Sequence, residues 1–320
     1  MKSPLLALPG AVPAEGTDEG VAAHYGDIFR EQRDLARGTG FVDLSHRGVV
    51  TVTGSDRLAW LHLLLTQHVS ELPVQQATEA LVLSANGHVE HALYLVDDGT
   101  TTWAHVEPGT QQALVGYLES MKFFYRVEVA DATADYAVVH LPAGSTASAD
   151  GASAVRELSY GRDLFLPRAE LETLTGGYGP AAGIWAYEAL RIEGHRPRLG
   201  FETDHRTIPH EVDWLTTAVH LQKGCYRGQE TVARVHNLGR PPRRLVFLHL
   251  DGTEEVLPPH GTEVRLAADP DGRALGFVTS SARHHELGPI ALAIVKRNVP
   301  VDAVLLAGTV PGTQDVIVPQ

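Results

Sequence analysis

One cysteine in 320 residues excludes an intrachain disulfide. With no CxxC or other multi-cysteine spacing, it also excludes a zinc or iron–sulfur site built from this chain's thiolates alone. Long apolar runs are missing too, and stretches such as Ala291–Val295 and Leu63–Leu65 are far too short to cross a bilayer. Positive charge is scarce: 26 Lys and Arg face 39 Asp and Glu, a formal net charge of −13. That balance argues against stable binding to nucleic acid or an anionic membrane, both of which need a cationic face. The first twenty residues, MKSPLLALPGAVPAEGTDEG, hold one lysine and an apolar run broken by Pro9. They are too short in apolar length for a signal peptide and too acidic for a transit peptide, so a cytoplasmic protein with a loose start is expected. The 17 histidines include no HExxH, and His284-His285-Glu286 beside Gly288-Pro289 reads as a solvated turn.

What is present suffices for a sizeable core, with 43% hydrophobic and 20% charged residues over this length. Phe41–Gly54 alternates as a half-buried strand, and Ser55 then caps a helix with Leu58, Leu61 and Leu65 on one face. Leu81–Val96 is two apolar strands joined at Asn86-Gly87. Thr110 begins a second helix striped by Leu114, Tyr117, Leu118 and Met121, and strands follow at Tyr125–Val129 and Tyr136–Leu141. These elements alternate without the regular units of a doubly wound sheet, which favours an α+β fold. Pro142–Ala154 is a small-residue loop; beyond it, helices are expected at Arg168–Leu174 and Ala181–Glu193, with an apolar-periodic piece at Val212–Leu221. After Arg240-Pro241-Pro242-Arg243 the texture changes to short strands, Leu245–Leu250, Glu263–Ala267, Leu275–Thr279 and Ile290–Val295, which suggests a small β-barrel. Two regions are expected, 20–240 and 241–320.

The lone cysteine sits in Lys223–Arg234, KGCYRGQETVAR. Gly224 and Gly228 flank a tight loop where backbone amides can approach a ligand. Lys223, Arg227, Arg234, Arg240, Arg243 and Arg244 bring six cations together, with Glu230 the only acid among them. Such a reversal in an acidic chain suits a ligand bearing carboxylates or phosphates. Lys223 and Arg227 would favour a reactive thiolate at Cys225. The opposite reading, a small buried hydrophobe between turn glycines, stays open on these residues alone.

KGCYRGQE resembles the signature of the YgfZ-type folate-binding proteins, relatives of the glycine-cleavage T protein (aminomethyltransferase). The resemblance runs from about His24 to the end. It includes Phe41-Val-Asp-Leu-Ser-His46, Val52-Thr-Gly54 with the helix after it, Ala189-Leu-Arg-Ile-Glu-Gly194, Ile208-Pro-His-Glu211 and the closing barrel. It implies a three-lobed ring, two ferredoxin-like α+β lobes and a C-terminal β-barrel, with tetrahydrofolate or another folate derivative in a central channel. Glu193 falls where the family uses a carboxylate for the pterin, since a carboxylate accepts two hydrogen bonds from a 2-amino-pyrimidinone edge. Read without the family, it is a helix-end glutamate in water. Lys223, Gly224, Tyr226, Gly228, Gln229, Glu230 and Arg234 join Glu193 as expected folate contacts, and Cys225 is the expected functional thiol. Where aminomethyltransferases carry paired aspartates after the hairpin, this chain has His91 and Ala92. The asparagine expected on the next strand is absent from Trp103–Pro108. Ordinary aminomethyl transfer is therefore not expected. The resemblance implies instead a folate-binding accessory protein for iron–sulfur cluster assembly or repair. Its partners would be iron–sulfur client or assembly proteins, and it would affect tRNA modification indirectly through such clients. The other class of reading is a folate-dependent one-carbon transferase or demethylase.

Overall fold

A computed structural model describes residues 1–253 and 256–319. The chain forms two compact units, Met1–Val82 with His91–Tyr187, and Leu83–Glu90 with Glu188–Gln320. Strands and helices are mixed in the first and a closed six-stranded barrel ends the second, which is the α+β architecture expected from the sequence.

In the second unit the barrel order is Arg243–Leu250, Gly288–Lys296, Gly276–His284, Glu263–Leu266, Leu305–Ala307 and Val310–Val316. Inward residues of alternating register, among them Val246, Leu248, Val278, Ala291, Ala293 and Val295, fill its interior. The last two strands were not anticipated; Pro311 and Gly312 in VPGTQDV mask the pattern. The change of texture near residue 240 marks the first barrel strand, whereas the compact unit begins at Glu188. Val212–Leu221 yields only one helical turn, Trp214–Thr217.

The first unit holds two five-stranded sheets. One runs Ala77–Leu83, Val89–Asp97, Thr101–Val106, Gly48–Thr53, Glu128–Asp131. Val50 and Val52 point from it into a core completed by Trp60, Leu61 and Leu65 from the Arg57–Leu64 helix side, and by Leu114 and Leu118 from Gln111–Ser120. Ser55 does not cap the first helix: its hydroxyl donates to Asp56, and Asp56 is turned to the Arg126 guanidinium at 2.9 Å. The strand expected from Tyr125 starts at Glu128, because Lys122–Tyr125 is a turn closed by the Tyr125 amide on the Lys122 carbonyl.

The second sheet runs Ala154–Leu158, Gly161–Pro167, Tyr136–Pro142, Phe41–Asp43, Ala181–Ala182. Ala181 was expected to open a helix; it instead pairs in parallel with Phe41, and the helix is Ile184–Glu193. The N-terminus is not loose. Leu5 is 1% exposed and packs with Phe41, Val139 and Leu164. Ala147, Ala149 and Ala152 of the low-complexity loop lie against the same core.

Between these two sheets charge is buried. Asp163 accepts from His105 Nε2 at 3.1 Å, His140 Nδ1 at 2.8 Å and Arg156 Nη1 at 3.0 Å, and all four side chains are under 5% exposed. Tyr94 stacks on His105 with ring centroids 4.9 Å apart. Burial alone would raise the Asp163 carboxyl, but the bonds from His105 and His140 outweigh it and hold the acid well below its usual range. Burial pushes His105 down to about 4, in spite of Asp163. Neutral His105 therefore donates through Nε2 while Nδ1 faces Arg47 Nη1 at 3.4 Å. Replacing Asp163 by Asn removes the one anion that this cluster is built around. Asp163→Asn is expected to lose about 3–5 kcal/mol in denaturant unfolding, the usual cost of breaking a buried pair; a loss below about 1 kcal/mol would contradict the assignment.

Candidate functional site

The stretch around the cysteine is a turn followed by a helix. Gly224 (φ 95°) and Gly228 (φ 82°) occupy left-handed backbone that favours glycine, and Gly228 is the N-cap of the Gln229–Leu238 helix. Gln229, Glu230 and Arg234, read from the sequence as part of a loop, are therefore helical. Glu230 sits in the first turn, where its charge complements the helix dipole. Val232 is the buried anchor of this helix, while Glu230 and Arg234 are exposed.

Cys225 is exposed. Its neighbours point the other way: Tyr226 and Lys223 are each 8% exposed, with Lys223 Nζ 4.8 Å from the Tyr226 ring centroid. Burial lowers Lys223 to about 8, opposed by the nearby Cys225, and raises Tyr226 to about 12. The turn thus packs lysine and tyrosine inward and displays the thiol.

Its position is set by the Asn86-Gly87 hairpin tip, which belongs to the same unit. A Cβ on Gly228 would lie 2.6 Å from the Ser84 carbonyl oxygen and 2.9 Å from Gly87 Cα, so only two glycines allow this approach. Arg227 Nη1 reaches Glu90 Oε2 at 3.0 Å, and the Val89 amide donates to the Thr207 carbonyl at 2.8 Å. Glu90 is thus a pairing residue on the exposed face, with His91 half-buried and Ala92 buried beside it.

The expected six-cation patch does not form. Arg243 is forked onto Asp204 at 2.6 Å and Glu211 at 2.8 Å, which holds Asp204 far below its usual range. Arg244 is 0% exposed and donates to the Val299 carbonyl and Gln314. Arg227 is paired and Lys223 is inside, leaving Arg234 and Arg240 exposed. Sequence proximity placed these groups together; alternation along the strand and the acids of 204–211 took them apart.

Ile208–Glu211 is a structural clamp: Glu211 accepts from Arg243 and from the Ile208 amide. Inside it lies a residue the sequence did not flag. His210 is 7% exposed, and neither ring nitrogen has a hydrogen-bond partner among the described residues. Burial, then His236, pushes it down to about 4.

Glu193 stands at the end of the Ile184–Glu193 helix with its side chain 45% exposed. Its neighbour is not the cysteine turn but His284, whose Nε2 is 3.4 Å from Glu193 Oε2. His284, expected in a solvated turn, is 2% exposed at the end of its strand. Arg191, two residues earlier, bonds Glu202 at 3.1 Å and Ser280 at 2.8 Å and docks the helix end on the same strand. Glu193 has one oxygen facing His284 and part of its carboxylate in solvent. Among the described residues no three His, Cys, Asp or Glu side chains converge to hold a metal ion, and no helix is long and apolar enough to cross a membrane.

Residues 243–311 match the glycine cleavage T-protein C-terminal barrel domain. The crystal structure of the glycine cleavage system aminomethyltransferase T from Bartonella henselae superposes with a TM-score of 0.81 at 19% identity, covering 98% of this chain and 94% of that one. The fold is that of the glycine-cleavage T proteins. An aminomethyltransferase of Herpetosiphon aurantiacus is 26% identical over 332 residues, 92% of this chain and 90% of that protein. A mitochondrial iron–sulfur cluster assembly factor of Mycosarcoma maydis, an IBA57 homolog, is 26% identical over 298 residues, 79% of this chain and 73% of that protein. The chain is thus similar to glycine-cleavage-T-like proteins of both kinds, aminomethyltransferases and an iron–sulfur cluster assembly factor.

Two outcomes follow from the geometry. Gly224 has open space around its missing side chain, so Gly224→Ala carries only the left-handed backbone cost, about 1–2 kcal/mol. Gly228→Ala should lose clearly more in thermal unfolding, since backbone must also shift; equal losses would contradict the glycine contact. His210 gives a pH signature. Its folded pKa, about 4, lies below the unfolded value of 6.5. Between those values the unfolded chain binds the proton and the folded chain does not, so stability falls as pH drops from about 6.5 to about 4. Denaturant melts of His210→Leu should show a shallower slope across that window; an unchanged slope would mean the imidazole is already solvated.

Proposed function

We propose that this chain is a tetrahydrofolate-binding accessory protein for iron–sulfur cluster assembly or repair, acting through Cys225. One observation carries the reading: the single thiol is exposed on a turn whose flanking Lys223 and Tyr226 are buried. A packing cysteine would be placed the opposite way. The relative named as an iron–sulfur cluster assembly factor supports the same role.

Chemically, one thiolate supplies one ligand, and a cluster needs about four, so Cys225 alone holds no resident cluster. It fits transient ligand donation to a cluster on a client, or thiol–disulfide exchange, in which the Cys225 thiolate attacks a partner's disulfide and one partner sulfur leaves as thiolate. Folate, when bound, would be held at Glu193 through its 2-amino-pyrimidinone edge. Aminomethyl transfer is disfavoured: the strand leaving the hairpin offers His91 and Ala92, and neither supplies a carboxylate to the reacting amine. Cytoplasmic location and the indirect effect on tRNA modification belong to this proposal.

Cys225→Ser provides the test. The variant should keep the wild-type melting temperature and folate affinity, yet fail to restore iron–sulfur enzyme activities in cells lacking the protein. Iodoacetamide should label the wild-type thiol in the folded state. Full complementation by a well-folded serine variant would overturn the role.

A further inference from the structure

The His284 imidazole is buried, and its two nitrogens have distinct duties. Nδ1 accepts from the Glu286 amide at 3.2 Å and the Leu287 amide at 3.1 Å. A nitrogen accepting two N–H groups is unprotonated, so in the neutral ring the proton resides on Nε2. The acceptor within reach of that buried N–H is Glu193 Oε2, at 3.4 Å. His284 Nε2 makes no hydrogen bond among the described residues at this geometry, and a buried donor without an acceptor is costly, so a small side-chain adjustment that closes the 3.4 Å gap to Glu193 is favoured. Burial, partly offset by Glu193, lowers the His284 pKa, which keeps the ring neutral.

The backbone repeats the arrangement. Ser280 and His284 lie four residues apart on one strand, past its register shift at Val278, and so share a face. Arg191 meets Ser280 and Glu193 meets His284, so the helix end is fastened to that strand at two points. The second fastening is different in kind. Arg191 is buried in a closed network with Glu188 and Glu202, whereas Glu193 keeps nearly half its side chain in solvent. Glu193 therefore keeps acceptor capacity toward solvent.

Resting on the folate reading of Glu193, we propose that His284 is the positioning residue of the ligand-binding carboxylate: it engages one lone pair of Oε2 and leaves Oε1 and the other Oε2 lone pair for the two donors of the pterin edge. It touches no ligand itself and acts through Glu193.

The experiment is anaerobic calorimetric titration with tetrahydrofolate of four variants, each checked by thermal melting. Glu193→Ala should weaken binding, and His284→Leu should weaken it about tenfold. His284→Gln, whose amide can donate along the same path, should stay within about threefold of wild type. In the Glu193→Ala background, His284→Leu should change nothing further. Weak binding by Glu193→Ala with normal binding by His284→Leu overturns this inference and leaves the folate reading standing. Unchanged binding by Glu193→Ala overturns both. Loss that glutamine does not restore, or that adds to the Glu193 loss, assigns His284 to packing and overturns the positioning role.

Discussion

A charge taken out of water must be met by another, and both units of this chain are organised around that requirement. In the first, Asp163 gathers His105, His140 and Arg156 between two sheets. In the second, Glu202 and Glu211 are each 1% exposed. Glu202 is answered by Arg191, Thr279 and Ser280, and Glu211 by Arg243. Apolar packing tolerates small slips between elements. Paired buried charges do not, because losing one partner leaves the other uncompensated.

The candidate site inherits its rigidity from these pairs. Arg243, on the first barrel strand, holds Asp204 and Glu211, and Thr207 between them receives the Val89 amide of the hairpin. The hairpin tip then presses Gly87 against Gly228, which fixes where the Gln229–Leu238 helix begins. Cys225 is three residues ahead of that point. The thiol is accessible, and this chain of contacts fixes the turn that carries it. Arg191 brings Glu193 onto the strand that carries His284.

Local signals made much of this legible. The Asn86-Gly87 turn, the 111–120 helix stripe and the barrel texture after residue 240 all depend on near-neighbour periodicity, and the structure follows them. The motif KGCYRGQE marked the turn and its two left-handed glycines. What stayed hidden was every pairing that joins distant segments. Six cations close in sequence were read as one patch, but Arg243 and Arg244 are adjacent on a strand and face opposite ways. Their partners lie in 204–211 and near 299–314, which no window reveals. His284 looked solvated beside Gly288-Pro289, yet its side chain turns inward at the strand's last residue. The first twenty residues looked loose, yet Leu5 packs into the core of the second sheet.

The central claim is that this fold binds folate without performing aminomethyl transfer. It is tested most directly by titrating the wild-type chain with tetrahydrofolate in a calorimeter and then assaying the saturated sample for methylenetetrahydrofolate after adding an alkylamine donor. The account predicts saturable binding at one site per chain and no product. No binding, or binding followed by turnover, would contradict it.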